Sequence, residues 1–221
     1  MKILLIGCGI VQIELKEALR SSQYEMDTVW MDNNLHEYPD KLRVAIQEVI
    51  DKSDNYDLIL LGFGLCGKAL ENIKATHCDL LFPLTDDCIS AFMCGNCELK
   101  KLRSSSIFTS RGWLNAENEY QNEYEMAIKK YGIKRADKIM SMMYQHYKNY
   151  IYIQTESDIS DENLEEAKFR ANQMHLDFAI VVGSIDIYRD LLTLNETENI
   201  GRVKKGDFIT ASKFLSFRVN S

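Results

Sequence analysis

The sequence predicts an α/β fold, Rossmann-like, with a mainly parallel sheet and two α/β halves flanking a cleft. Three observations support this. Apolar runs at Lys2 to Ile6, Leu58 to Leu61, Leu80 to Leu84 and Phe178 to Val182 are continuous rather than alternating, as buried parallel strands are. Each run ends in a turn carrying glycine or acidic residues. The segments after the turns then place apolar residues at helical spacing, the pattern of strands joined by crossover helices.

Taken in order, Lys2 to Ile6 is the first strand, and the Gly7-Cys8-Gly9 turn opens a helix from about Val11 to Arg20 with Ile13, Leu15, Ala18 and Leu19 on its apolar face. Tyr24 to Met31 reads as a second strand. Pro39 stands where a helix can begin, and Leu42, Ala45, Ile46, Val49 and Ile50 mark that helix's inner face. Leu58 to Leu61 and Leu80 to Leu84 follow as strands. Beyond Cys97 come a short strand at Ile107 to Thr109 and two helices between 115 and 147 broken near Gly132. A second α/β half follows: strand 149–154, helix 162–174, strand 178–182 and helix 185–192. Phe208 to Thr210 is a weak last strand. One α/β domain over 1–221 is expected, with pseudo-lobes at 1–110 and 111–221.

The composition, 46% hydrophobic and 27% charged with a net charge of −7, is that of a globular domain and disfavours nucleic acid or an anionic membrane as partner. No apolar run approaches the roughly 20 residues needed to span a bilayer. MKILLIGCGI reads as a strand rather than a signal peptide, so a cytoplasmic location and a small-molecule substrate are expected. In that compartment the six cysteines are metal-binding, catalytic or buried rather than bridged.

Five of those six lie between residues 57 and 97. Cys8, Cys66 and Cys88 each follow a predicted parallel strand, the place where α/β proteins build sites. Three thiolates around one point suit a four-iron cluster with one iron open, or a zinc with one open position. The alternative is that they are small buried hydrophobes. Cys94 and Cys97 have ligand or redox spacing, without a second such pair to make a zinc ribbon. Cys78 opens a strand and reads as core. Gly7, Gly9, Gly64 and Gly67 border these thiols and are the positions where backbone would approach a bound group. Gly7-Cys8-Gly9 also resembles the start of a dinucleotide fingerprint, but Gln12 stands at its third glycine, so a tight strand-to-helix turn is the plainer reading. Asp86 and Asp87 beside Cys88, and Glu14 one turn into the first helix, are the proton-transfer candidates. At a helix start the acidic pair is also favoured by the helix dipole alone. His36 is within reach of the site in sequence terms; His77, His146 and His175 read as turn or helix-end residues.

GFGLCG around Cys66, the Asp87-Cys88 pair, Cys8 with Glu14, Gly112-Trp113, His146-Tyr147-Lys148 and the strand Tyr150 to Gln154 together resemble the family catalogued as domain of unknown function 1638, over about residues 2–195. The resemblance carries no established activity. It implies an anaerobic setting near corrinoid-dependent methyl transfer, with a corrinoid or methyltransferase system as partner. The chain departs from that pattern at Asp86, where members tend to have His, and in having Cys94 and Cys97.

The expected function is therefore an enzyme of anaerobic metabolism with a cysteine-ligated [4Fe-4S] cluster. Cys8, Cys66 and Cys88 would hold it, with Cys94 or Cys97 as a further ligand, and an open iron would act in dehydration or desulfuration of a small molecule. The alternatives are a zinc-thiolate or corrinoid-linked methyl-transfer protein and a non-catalytic metal-binding accessory.

Overall fold

The computed structural model describes residues 1–93, 99–116, 119–158 and 161–214. In chain order its elements begin with β1 (Ile3–Cys8), α1 (Gln12–Arg20), β2 (Asp27–Met31), α2 (Pro39–Asp51), β3 (Leu58–Gly62), β4 (Asp79–Pro83) and α3 (Cys88–Phe92). There follow α4 (Leu99–Arg103), β5 (Ser106–Ser110), α5 (Arg111–Ala116), α6 (Glu119–Tyr131), α7 (Ile133–Tyr144) and β6 (Asn149–Gln154). The last are α8 (Asp161–Gln173), β7 (Asp177–Val182), α9 (Asp186–Leu191) and β8 (Ile200–Val203). The chain forms two compact units, one of residues 1–96 with 184–221, the other of residues 97–183.

The first unit is built on a five-stranded sheet of order β2-β1-β3-β4-β8. The first four strands run parallel and β8 is antiparallel to β4. The apolar runs of β1, β3 and β4 occupy the middle because both their faces are covered. Leu4, Ile6, Ile59, Leu61, Leu80 and Phe82 share a core with Leu42, Ile46 and Ile50 of α2. The alternate residues Leu5, Leu60 and Leu81 are also fully buried, on the face where α1 and α9 lie against the sheet. Burying each such side chain contributes roughly 1.5–3 kcal/mol. The edge strand β2 is largely exposed and is shorter than the sequence suggests, starting at Asp27 rather than Tyr24.

The order has one consequence for function. The chain goes from β1 to β2 on one side, then crosses back to place β3 on the other. Strand order therefore reverses between β1 and β3, and an α/β sheet opens a crevice at the carboxyl ends of such a pair.

The second unit holds a wholly parallel three-stranded sheet, β5-β6-β7. Tyr150 and Tyr152 of β6 pack with Leu114, Ala167 and Ala171 from α5 and α8. The expected break between the two long helices is present, with Gly132 at φ 73°. The chain is thus an α/β protein with mainly parallel sheets. Two further details differ from the sequence reading. Helix α9, expected in the second half, belongs to the first unit. Residues near Phe208 make a single bridge to Lys74, and the last strand among the described residues is β8. Its Gly201 lies so close beneath Leu84 and Phe82 that a Cβ would come within 2.8 and 3.0 Å of them. A strand that requires glycine at its centre has little β signal in sequence.

Candidate functional site

The crevice between β1 and β3 is where Cys8 and Cys66 lie. Cys8 closes β1, and hydrogen bonds from the backbone of Ile10 and Val11 reach its thiol. Burial outweighs them and pushes the Cys8 thiol up from its ordinary value. Cys66 follows β3 in a turn with φ 45°, a left-handed conformation that costs a residue with a Cβ roughly 1–2 kcal/mol. Backbone strain of this kind collects at functional sites. Next in line, Gly67 has φ +64° and needs no such expense.

Two backbone hydrogen bonds bind this turn to the one after β4. Leu65 N–H donates to Thr85 O at 2.7 Å, and Cys66 N–H donates to Asp86 O at 2.8 Å. Gly64 makes the approach possible, since a Cβ there would meet Thr85 Oγ1 at 2.7 Å, Thr85 O at 2.8 Å and Asp87 N at 2.9 Å. Asp87 then caps α3, its Oδ1 accepting from Ser90 N–H at 2.8 Å. Cys88 is the first residue of that helix. The three thiols therefore arrive from three different turns, drawn together by sheet order and by the clasp between residues 64–66 and 85–87.

Their mutual influence is visible in Cys66. Burial first, then the neighbouring Cys88 and Cys8 and the Asp87 carboxylate, push its thiol well above the ordinary value, with only a backbone hydrogen bond from Gly64 opposing. Left to themselves the Cys8 and Cys66 thiols stay protonated. A bound cation would reverse that balance, because thiolates are the ligating form. The Thr85 hydroxyl is fully buried in the same clasp and has no hydrogen-bond partner among the described residues. All-sulfur donors with a nearby unsatisfied hydroxyl fit a sulfur-ligated metal group.

Two further residues complete the site. Glu14 is fully buried on α1. Tyr188 of α9 is 2% exposed and sets its ring edge-on to Phe92 of α3, with centroids 6.1 Å apart. Its phenol is pushed well above the ordinary value by burial and then by Cys88, Glu14, Cys8 and Cys66, so all four lie within electrostatic reach of it. Sequence reasoning missed Tyr188, because nothing in IDIYRDLL marks this tyrosine as facing cysteines.

The remaining candidates are placed as follows. Asp86 contributes its carbonyl to the clasp. Gly7 lies under Trp30 and Leu15, and Gly9 against Asn33 and Met31, so both glycines are accounted for by close packing within the chain. The Gln12 amide, turned with its oxygen toward them, accepts from Trp30 Nε1 and Lys16 Nζ at 3.2 Å each, filling the position a nucleotide fingerprint keeps for glycine. His36 Nδ1 bonds to the carbonyl of Asn33, and His77 Nε2 lies 3.0 Å from Asp51 O. Cys78 is buried core, and Cys8, Cys66, Cys78 and Cys88 are unbridged. Cys94 and Cys97 lie outside the described residues. Among the described residues no group of three or more His, Cys, Asp or Glu side chains is placed so as to hold a metal ion, and no helix is long and apolar enough to cross a membrane.

No curated protein and no solved structure matches the chain. A family described as "Protein of unknown function (DUF1638)" matches over residues 30–192, a span that holds Cys66, Asp87, Cys88 and Tyr188 and begins after Cys8 and Glu14. The chain belongs to this family of unknown function, DUF1638.

Proposed function

We propose that the first unit is the metal-holding part of an enzyme acting on a small molecule, with a [4Fe-4S] cluster held by Cys8, Cys66 and Cys88. The observation that carries the reading is the convergence of these three residues, from three separate turns, at the point where strand order reverses. Three thiolates leave one position of a four-iron group for a ligand from outside the protein. When bound, the group supplies a Lewis-acidic position for a substrate oxygen or sulfur, as dehydration or desulfuration requires. The chain's own residues hold and move protons there. Glu14, buried in the site, is the carboxyl available to take or give a proton, and Tyr188 is a phenol kept protonated as a hydrogen-bond donor. Asp87 has the structural task of capping α3 over Cys88. Cys94 or Cys97 would supply a further, exchangeable thiolate. Unbridged cysteines accord with a reducing, cytoplasmic setting.

Zinc is the second reading, favoured by Glu14: three sulfurs and one carboxylate oxygen are an acceptable tetrahedral set for that ion. Iron, acid-labile sulfide and zinc determinations on anaerobically purified protein, with its visible and electron paramagnetic resonance spectra, separate the readings. Iron and sulfide in equal amounts with broad visible absorbance support the cluster, whereas a colourless protein with one zinc replaces it with the second reading. Protein free of both metals after anaerobic reconstitution contradicts both.

A further inference from the structure

The second unit contains a cation, Arg111, that forms no ion pair among the described residues. Arg111 begins α5 directly after β5, and its Nη1 donates to Ser157 O at 3.1 Å in the turn that follows β6. Its Nε is buried and has no hydrogen-bond partner, and among the described residues the guanidinium forms no ion pair. The nearby Asp158 carboxylate is committed elsewhere, accepting from Tyr152 OH on one oxygen and from Asn163 Nδ2 at 3.2 Å on the other. Arg170 of α8 is in contrast paired with Glu166 at 2.7 Å. Just before Arg111, Ser110 is 1% exposed, and its hydroxyl also has no partner among the described residues.

An unsatisfied buried donor costs stability, more so when charged, and in a native protein it calls for an unseen acceptor. The location agrees. Strands β5 and β6 are parallel neighbours with Ser110 opposite Ile153, so Arg111 and the 155–158 turn lie together beyond their carboxyl ends, where α/β sheets take ligands. The 155–158 turn is itself held, by Asp158 N–H to Thr155 O at 2.9 Å and by the hydroxyls of Thr155 and Ser157 at 2.8 Å.

With Nη1 on Ser157, the Nε–Nη2 edge of the guanidinium remains, and that edge matches the two oxygens of a carboxylate in a planar paired hydrogen bond. A single guanidinium edge suits a monoanion. A phosphate dianion ordinarily collects several cations or a row of backbone N–H groups. We propose that the second unit binds a carboxylate-bearing small molecule through the Nε–Nη2 edge of Arg111. This assignment is independent of the thiol site.

The test is a nuclear magnetic resonance titration of the ¹⁵N-labelled full chain, following the Arg111 Nε–H signal and the backbone amides of Ser157 and Asp158. Sodium acetate, sodium phosphate and sodium chloride are the probes, at matched ionic strength, with Arg111→Lys to assign the side-chain signal. Acetate should move all three signals along one saturable curve while chloride leaves them in place. Arg111→Lys, which keeps the charge but loses the fork, should weaken the acetate effect on the two amides about tenfold. Absence of a saturable acetate response in the wild-type chain overturns the proposal, as does phosphate saturating at lower concentration than acetate. Should Arg111→Lys fail to fold, the wild-type comparison of acetate with phosphate and chloride still decides.

Discussion

Cys66 N–H donates to the carbonyl of Asp86 at 2.8 Å, so the turn that carries one candidate ligand is fastened to the turn that leads into another. Cys66 and Cys88 are far apart in sequence and belong to turns after different strands. Their proximity depends on this clasp and on the close approach that Gly64 allows.

Gly64→Ala should therefore be among the most damaging single-methyl changes in the first unit. The added Cβ meets backbone atoms of Thr85 and Asp87, which cannot rotate away. Overpacking of this kind costs about 1–3 kcal/mol. A urea midpoint lowered accordingly, together with reduced metal retention, is the expected outcome, and an unchanged midpoint would show that the clasp yields freely.

Cys66 itself permits a comparison that separates strain from ligation. Because its φ is 45°, Cys66→Gly relieves a conformation that Cys66→Ala retains. The glycine variant should be more stable than the alanine variant by about 1 kcal/mol, while both lose metal. Equal thermal midpoints for the two would remove the argument from strain.

How far the sequence discloses all this depends on the range of the physics involved. The central strands are legible because Leu4 to Ile6, Leu58 to Leu61 and Leu80 to Phe82 are apolar on both faces, a local signal of double-sided burial. The positions of Cys8, Cys66 and Cys88 at the carboxyl ends of parallel strands are legible because each follows an apolar run that forms such a strand. Tyr188 is not, because α9 reaches the first unit only by a long-range return of the chain. Strand β8 is hidden by Gly201, whose reason for being glycine is packing against Phe82 of β4 and Leu84 just after it, more than a hundred residues earlier. The buried Nε of Arg111 is invisible for a similar cause: the sequence shows a charged residue, not that its Nε lacks an acceptor among the described residues.

Asp87 has a defined structural job, and its variants should show that job alone. Asp87→Asn retains an acceptor for Ser90 N–H and should change stability by only a few tenths of a kcal/mol. Asp87→Ala removes the cap and should cost about 1 kcal/mol. Metal content should be retained in Asp87→Asn. A tenfold or greater loss of metal affinity in that variant would instead make the carboxylate charge part of the site.

The antiparallel strand β8 is pinned by charge. Burial alone would raise the Asp79 carboxyl, but hydrogen bonds from Lys204 Nζ, Lys205 N–H and Arg202 prevail and hold it below the usual value. A carboxyl depressed in the folded state contributes stability above its unfolded pKa, about 3.9. That stability is lost as pH falls from there through the folded value. Asp79→Asn should thus lower the stability of the chain at pH 7 by about 1–2 kcal/mol and flatten its decline below about pH 4. Unfolding curves of the two proteins between neutral and acid pH check this; parallel curves would show that the carboxylate contributes nothing to the tie.

The central claim is that Cys8, Cys66 and Cys88 hold one group together, and metal stoichiometry in single cysteine variants tests it most directly. Cys8→Ser, Cys66→Ser, Cys88→Ser and Cys78→Ser are purified anaerobically, reconstituted alike, and compared with wild type for bound metal, sulfide and sulfur coordination by X-ray absorption. The account predicts that each of the first three falls to a small fraction of wild-type metal while remaining folded, and that Cys78→Ser keeps its full complement with some loss of thermal stability. Full wild-type metal and unchanged sulfur coordination in any one of the Cys8, Cys66 or Cys88 variants would contradict it.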